Sequence, residues 1–374
     1  MEQYISTLSQ LQLAVVAALA FAVVAQAAYY LFVYLRPVLN KTSAASSKLP
    51  PVSVIICARN EHDYLLQFLP KVLGQDYPEF EVIVVNDCSE DDTLMLLGQM
   101  EQTYSNLRHT SIELDRKFAH GKKLAITVGV KSAKYEHLVF TDADCYPESN
   151  RWLQRIISTY SSQTEIVLGY GGYENRKGLL NKLIRFDTLL VAMQYLGLAK
   201  ARHPYMGVGR NLSYTRTSFF SKNGFQSHYH INSGDDDLFV NERANKLNTS
   251  IVTSPDSFTR SVPCTSFGHW VKQKKRHLTT WTSYRAGTKL LLGIEPASRL
   301  LFYITLVMLI YPCSMYVEAA VLYSLRLLIQ LIVYKLNMRK FEERGFLILI
   351  PIFDIVLPVL QIAFNILNLR DKHN

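Results

Sequence analysis

From Leu11 to Leu35 the chain carries no charged side chain. About 20 mostly apolar residues in a helix cross the hydrocarbon core of a bilayer. A run of this length has no use as the surface helix of a water-soluble domain, and it reads as a membrane anchor. Ala25-Gln26-Ala27 has the look of a cleavage site, but Met1-Glu2-Gln3 lacks the positive start of a signal peptide. The anchor is therefore expected to stay uncleaved. Arg36 and Lys41 follow it closely, and the bias of basic residues toward the cytoplasm places the next domain on that side. Apolar runs return near Ala297–Cys313, Met315–Leu336 and Phe346–Leu367, with Glu318 and Arg326 interrupting the middle one. Asn337-Met-Arg-Lys340 and Arg344, between the last two, would again face the cytoplasm.

Between these ends the pattern alternates. Val52-Ser-Val-Ile-Ile-Cys57, Glu81-Val-Ile-Val-Val-Asn86 and His137–Thr141 are short apolar runs that read as buried strands. Leu65, Leu66, Leu69, Val72 and Leu73 recur at helical spacing after the first. Ser89 or Asp91 offers a cap for a helix after the second, and a further helix is expected over His120–Lys134. Strands alternating with helices imply an α/β domain with a mainly parallel sheet. Such sheets bind ligands at the carboxyl ends of their strands, where Arg59, Asp87 and Asp142 sit. Asp142 and Asp144 are separated by one small residue, Ala143, so both can converge on one hard cation. Carboxylate oxygens suit Mg²⁺ or Mn²⁺, which also take ligands from substrate phosphates. A solvated turn or a helix cap would place the same residues.

The 40 Lys and Arg exceed the 31 Asp and Glu, giving a formal charge of +9. Beside long apolar segments that excess points to anionic lipid headgroups and not to nucleic acid. Cys57, Cys88, Cys145, Cys264 and Cys313 show no C-x-x-C spacing, as expected of thiols in a reducing compartment.

Val54-Ile-Ile-Cys-Ala58-Arg59-Asn-Glu61, Val84-Val-Asn-Asp87-Cys-Ser89 and Thr141-Asp142-Ala-Asp144 occur in this order. Together they resemble the nucleotide-sugar half of family-2 glycosyltransferases, which have the GT-A fold. The resemblance implies that Asp87 bonds the uracil of a UDP-sugar, that Ala58, Arg59 and Glu61 line the nucleoside, and that Asp142 and Asp144 hold the metal. Asn86 stands where the family often has Asp. Lys122 occupies a position associated with the donor diphosphate, with Lys123 as competitor. Gly207-Val-Gly209-Arg-Asn-Leu-Ser213 resembles the acceptor-side loop, and Gly169-Tyr-Gly-Gly172 is expected as a mobile or tight loop. Ser233-Gly-Asp235-Asp236-Asp237 resembles the acidic pair before a helix whose second member is the catalytic base. That makes Asp236 the base, or Asp237 if the register shifts by one.

Trp270-Val-Lys-Gln273-Lys-Lys-Arg276-His277 resembles the Gln-x-x-Arg-Trp signature of membrane-bound polysaccharide synthases, with His277 in place of Trp. Gln273 and Arg276 share one helix face. Trp270, Lys274, His277 and Trp281 form another stripe, expected at lipid headgroups. Histidine there can carry charge near neutral pH. His269 is a further candidate metal ligand, though a surface or core histidine is the ordinary alternative. The expected organisation is an anchor (1–41), a cytoplasmic GT-A domain (42–267), an interfacial segment (268–296) and C-terminal spans (297–374). The implied activity is inverting, metal-dependent transfer from a nucleotide-diphosphate sugar to a lipid-linked or glycan acceptor, at a bacterial inner membrane. A processive synthase of the same family is the nearest alternative. A sugar-1-phosphate nucleotidyltransferase would need a Gly-rich N-terminal phosphate loop that this chain lacks. A non-catalytic nucleotide-sugar scaffold would have no need of Asp236.

Overall fold

The charge-free run is one continuous helix in the computed structural model, which describes residues 9–41, 49–113, 121–231, 233–311 and 313–371. A capping box starts it, with Ser9 Oγ accepting from Gln12 N–H and Gln12 Oε1 accepting from Ser9 N–H. It is α-helical over Gln10–Tyr29 (α1) and continues as a π-helical turn, Tyr30–Tyr34. Most of the expected linker, Thr42–Lys48, lies outside the described residues.

The cytoplasmic candidate then alternates as its periodicity predicts. β1 (Val52–Ala58), α2 (His62–Leu73), β2 (Phe80–Asp87), α3 (Thr93–Thr103) and β3 (Leu107–Ile112) come first. α4 (Lys122–Ser132), β4 (His137–Asp142), β5 (Cys145–Pro147) and α5 (Trp152–Ile157) follow. α4 is thus shorter than the expected His120–Lys134, and His120 lies outside the described residues. Beyond it are β6 (Ile166–Leu168), β7 (Gly171–Tyr173), the long α6 (Leu179–Lys200), β8 (Leu212–Thr215) and α7 (Arg216–Phe220). α8 (Asp237–Arg243), β9 (Thr249–Ile251), β10 (Thr259–Ser261) and α9 (Phe267–Leu278) complete this part. Seven strands form one sheet in the order β3-β2-β1-β4-β8-β6-β9, with β8 antiparallel to both neighbours. β5, β10 and β7 form a small second sheet beside it. Burial of nearly every residue of β1, β2 and β4 matches a sheet covered on both faces.

The remaining helices are α10 (Ala286–Ile310), α11 (Tyr316–Lys340) and α12 (Ile350–Asp371). Among the described residues, four helical segments are long and apolar enough to cross a membrane: Gln10–Tyr34, Ala286–Ile310, Tyr316–Lys340 and Leu347–Leu367. α10 begins at Ala286, well before the Ala297 that hydropathy marks. Polar residues such as Glu295 and Arg299 break the apolar pattern but face inward. Glu295 and Arg299 pair one turn apart, Arg299 Nη1 lies 3.5 Å from Asp354, and Arg326 Nη2 lies 2.8 Å from Asp354. Gln26 of α1 joins them by donating to Ser298 Oγ at 2.8 Å and accepting from Arg326 at 2.9 Å. Charges at membrane depth are tolerated when they face the bundle and pair with one another. That is why Arg326 does not interrupt α11.

Two contacts lock the helical bundle to the sheet domain. A Cβ on Gly197 of α6 would stand 2.3 Å from the Val33 carbonyl oxygen, so only glycine lets α6 approach the π turn this closely. In the turn after α11, the fully buried Glu343 carboxylate lies 2.5 Å from both Arg185 Nη2 of α6 and Arg260 Nη1 of β10.

Candidate active site

The strand ends expected to converge do so. β1 lies between β2 and β4 in parallel register, with Cys57 opposite both Val85 and Asp142. Ala58, Arg59 and Glu61 therefore leave the sheet beside Asp87 and Asp142. Two loop residues adopt left-handed backbone, Asn60 (φ 56°) and Cys88 (φ 55°). They are held by cross-loop bonds: Asn60 N–H donates to Ser89 Oγ at 2.9 Å and Asn60 Oδ1 accepts from Glu90 N–H at 2.7 Å. Asn86 is buried, and its Oδ1 accepts from Ser89 N–H at 3.4 Å. Its side chain braces the loop. Asp91, one of the two expected caps, bridges by accepting from Thr93 N–H and His62 N–H, while Asp92 takes the cap position itself.

Asp142, Asp144 and the Cys145 thiol bring their ligand atoms within 4.8 Å of one another. Burial and then the adjacent Asp142 charge raise Asp144. Burial also works against the Asp142 carboxylate, but the Lys122 ammonium at 2.6 Å outweighs it and holds Asp142 low. Glu61 rises to about 7, through burial and then the charges of Asp144, Asp142 and Asp91. Asp144 and Glu61 stay raised although Lys122 compensates Asp142, and hard oxygen donors of this kind fit a divalent cation. Cys145 does not belong to that set: burial and the two aspartates keep it a thiol, and it donates to Asp144 Oδ1.

Lys122 faces the cleft, its Nζ 3.3 Å from Asp235 Oδ2 as well as 2.6 Å from Asp142. Lys123 points away, buried and donating to the backbone carbonyls of His228 and Ile231. Lys122 is the lysine in the site.

The three consecutive aspartates separate by direction. Asp236 caps α8, its Oδ1 accepting from Asp237 N–H at 2.8 Å and its Oδ2 from Gly209 N–H at 2.7 Å. Asp235, Asp236, Gly209, Lys122 and Asp142 line one crevice with the β1 and β4 ends. Burial and then the charges of Asp235 and Asp237 raise Asp236 to about 7, against the lowering effects of Lys122 and the Gly209 N–H. Asp237 instead accepts from the hydroxyls of Thr280 and Tyr284, both beyond α9. It ties the following segment down.

α9 lies across the domain, and two of the four residues of the expected headgroup stripe pack inward. Trp270 is buried against Phe267 and Phe364 of α12, and Lys274 pairs with Asp187 of α6. Trp281 remains exposed. Gln273 Nε2 donates to the Tyr173 hydroxyl at 3.1 Å, and Arg276 is close enough to lower Asp142. His277 is crowded by the cleft and by Lys274, Arg276, Arg210 and Lys122, which together hold its imidazole at about 3. The residue keeps more than a third of its surface open, so the four cations are the contribution that persists when water enters. Burial and these charges both favour the neutral imidazole over the charged form that a histidine can take there. His269 is exposed at the start of α9 and is not among the grouped metal-ligand atoms.

Sequence reasoning missed Arg210, Tyr173 and Ser261. Arg210 donates to the Gly171 carbonyl, stacks 4.6 Å over the Tyr173 ring and helps lower Asp142. Ser261 Oγ donates to Asp144 Oδ2 at 2.9 Å. The Gly169–Gly172 stretch is buried and runs into β7, not a mobile loop. Its glycines leave room for Asn211, Arg210 and Arg260, whose side chains cross where Cβ atoms would stand. Arg210 had a signal, lying next to Gly209, whereas nothing local ties Ser261 to Asp144.

A nucleotide-sugar domain of the GT-A type is what this sheet and its acidic cleft define. Residues 53–220 match the family Glycosyl transferase family 2. The chain is similar to the Glycosyltransferase AglE of Haloferax volcanii, 36% identical over 31% of this chain and 37% of that one. It is also similar to the poly-beta-1,6-N-acetyl-D-glucosamine synthase of Staphylococcus epidermidis, 29% identical over 31% of this chain and 27% of that one. The matched segments thus span about a third of these relatives' length. Among solved structures, a mannosyltransferase of Pyrobaculum calidifontis, in complex with GDP-Man and Mn²⁺, shares the fold. Its TM-score is 0.62 at 21% identity, covering 96% of this chain and 99% of that one.

Proposed function

We propose that this protein is a membrane-bound inverting glycosyltransferase, moving a sugar from a nucleotide-diphosphate donor to a hydroxyl of a lipid-linked or saccharide acceptor. The single observation that carries the reading is Asp236, a carboxylate poised near neutrality at the rim of the crevice that holds Asp142 and Lys122. A general base works best when its pKa lies near the working pH. In this reading Asp236 takes the proton of the acceptor hydroxyl as that oxygen attacks the anomeric carbon. Asp142 and Asp144 would hold Mg²⁺ or Mn²⁺, which supplies charge neutralisation to the departing diphosphate. Lys122 and Arg276 add basic groups on the same side, and Asp235 holds Lys122 in place. Asp87, Ala58, Arg59 and Glu61 would receive the nucleoside, with uracil the proposed base. Gly209, whose Cβ-less face opens toward Lys122 and Asp236, would let the acceptor approach.

The four apolar helices support an integral membrane protein. Arg36, Lys41, Arg339, Lys340 and Arg344 at the domain-side helix ends favour a cytoplasmic cleft, and a bacterial inner membrane is the proposed setting. Gln273 and Arg276 favour the processive synthase as a second reading. The neutral, smaller His277 ring offers less stacking surface than Trp, and so one or a few additions are the first reading. The test is purified protein incubated with UDP-sugars and GDP-mannose, with EDTA or with added Mg²⁺ or Mn²⁺. Metal-dependent release of the nucleoside diphosphate is expected, with the sugar transferred to an inverted, short, organic-extractable product. Nucleotide release unaffected by EDTA would refute the metal assignment, and long polymer from one donor would favour the synthase.

A further inference from the structure

A second cavity of about 420 Å³ opens beside the small sheet, lined by Tyr146, Glu148, Tyr173, Glu174, Asn175, Arg185, Arg260, Glu342 and Arg344. Its size lies within the roughly 300–1,000 Å³ of ligand pockets. Three walls give it a place in the molecule. Tyr146 comes two residues after Asp144, on β5. Tyr173 forms the partition toward the cleft, because its hydroxyl accepts from Gln273 and Arg210 on that side. Glu342 and Arg344 come from the turn between α11 and α12, so the cavity also borders the membrane bundle.

The lining decides the chemistry. Three guanidiniums face three carboxylates, and two of the guanidiniums are already neutralised: Arg185 and Arg260 share the buried Glu343, and Arg260 Nε also lies 2.9 Å from Glu148. A phosphate would find little free positive charge there. A neutral polyol fits, since each hydroxyl both donates and accepts and so uses carboxylates, guanidiniums and an amide together. Two phenol rings add flat apolar faces. Among the described residues, Arg185 Nε is buried without a hydrogen-bond partner, and Glu342 and Arg344 make no side-chain bond or ion pair at the cavity wall.

We infer that this cavity is a subsite for a neutral sugar of the acceptor, one or more residues back from the hydroxyl that reacts, and that the preferred acceptor is therefore at least a disaccharide. The inference rests on the glycosyltransferase reading above, which supplies the neighbouring cleft. An acceptor tethered in the bilayer reaches the cleft past Glu342 and Arg344, and its second sugar lies against Tyr173 while its terminal hydroxyl meets Asp236.

The experiment uses the full chain in lipid nanodiscs and calorimetric titration. UDP and GDP are titrated first with Mn²⁺, followed by neutral mono- to tetrasaccharides of the gluco, N-acetylgluco and manno series with the nucleotide site saturated. Binding of an oligosaccharide but not of its monosaccharide is expected. Arg344→Ala and Glu342→Gln should each weaken it about tenfold or more, the worth of a charge-assisted hydrogen bond, with nucleotide affinity unchanged. Absence of nucleotide binding would refute the donor reading itself. Nucleotide binding with no oligosaccharide bound, with binding indifferent to both substitutions, or with inorganic pyrophosphate bound in an Arg344-dependent way, would overturn the subsite alone.

Discussion

Asp236→Asn separates proton removal from nucleotide binding in the cleft. The substitution keeps the volume of the side chain and one oxygen, able to accept from Gly209 N–H or from Asp237 N–H but not from both, and it removes the basicity. Loss of a positioned general base costs about 10²–10⁴ in rate, or about 2.7–5.4 kcal/mol at 1.36 kcal/mol per decade. Because Asp236 sits at about 7 through burial and its acidic neighbours, the base is the form above that pH. Its ionised share falls about tenfold per unit below 7, so kcat should rise with pH at a limiting slope of one and level off above about 7. In Asp236→Asn that limb should vanish along with most of the rate, while UDP affinity stays within about twofold. The assay is nucleotide release at saturating donor between pH 5 and 9, with calorimetric UDP binding beside it. Asp237→Asn is the internal control. It disturbs the acceptor of Thr280 and Tyr284, so it should lower thermal stability and keep the pH limb, moved to lower pH because one of the charges that raise Asp236 is gone. A flat profile in the parent protein, or a limb lost in Asp237→Asn and kept in Asp236→Asn, would refute the assignment.

Asp142→Asn and Asp144→Asn should each abolish the stimulation by Mn²⁺ in the same assay without unfolding the protein; near-normal rates with metal would remove the pair from the ligand set. Glu343→Ala leaves Arg185 buried without its carboxylate and Arg260 with Glu148 alone, and breaking a buried pair from one side costs about 3–5 kcal/mol. A marked drop in detergent-solubilised thermal stability is expected, and an unchanged melting curve would show that the turn is not anchored. Gly197→Ala pushes a methyl toward the Val33 carbonyl. It should destabilise by about 1–3 kcal/mol, read by the same melting curve, and an indifferent protein would place α6 farther from the anchor than described.

What the residues disclose depends on how far apart their partners lie. β1, β2 and β4 are buried on both faces, so each needs a solid apolar run, and the carboxyl-end residues Arg59, Asp87 and Asp142 follow from strand direction alone. The neutrality of His277 did not follow. Its ring is ordinary in sequence, and only the fold gathers Lys274, Arg276, Arg210 and Lys122 around it. The same holds for α9, whose amphipathic pattern is equally compatible with lipid and with Phe364 and Asp187. Periodicity reports that a face is apolar, not what covers it. α10 was clipped at Ala297 because hydropathy counts Glu295 and Arg299 as costs, whereas paired inside the bundle they are mutual partners. The choice between Asp236 and Asp237 was open for a similar reason: adjacent carboxylates at a helix start diverge only once Gly209, Thr280 and Tyr284 are in place.

Glu343 joins a turn between two membrane helices to a helix and a strand of the sheet domain through two guanidiniums that have no exposure to spare. A domain tethered only by its N-terminal anchor would bob and tilt over the lipid. One pinned at both α1 and this turn holds its crevice at a single standoff from the bilayer, like a tool set in a jig. Reach must then come from the acceptor. In the proposed reaction, a lipid carrier whose spacer is too short would leave its hydroxyl below Asp236, and one too long would overshoot it, so the rigid mount would screen substrates by length before any side chain touches them.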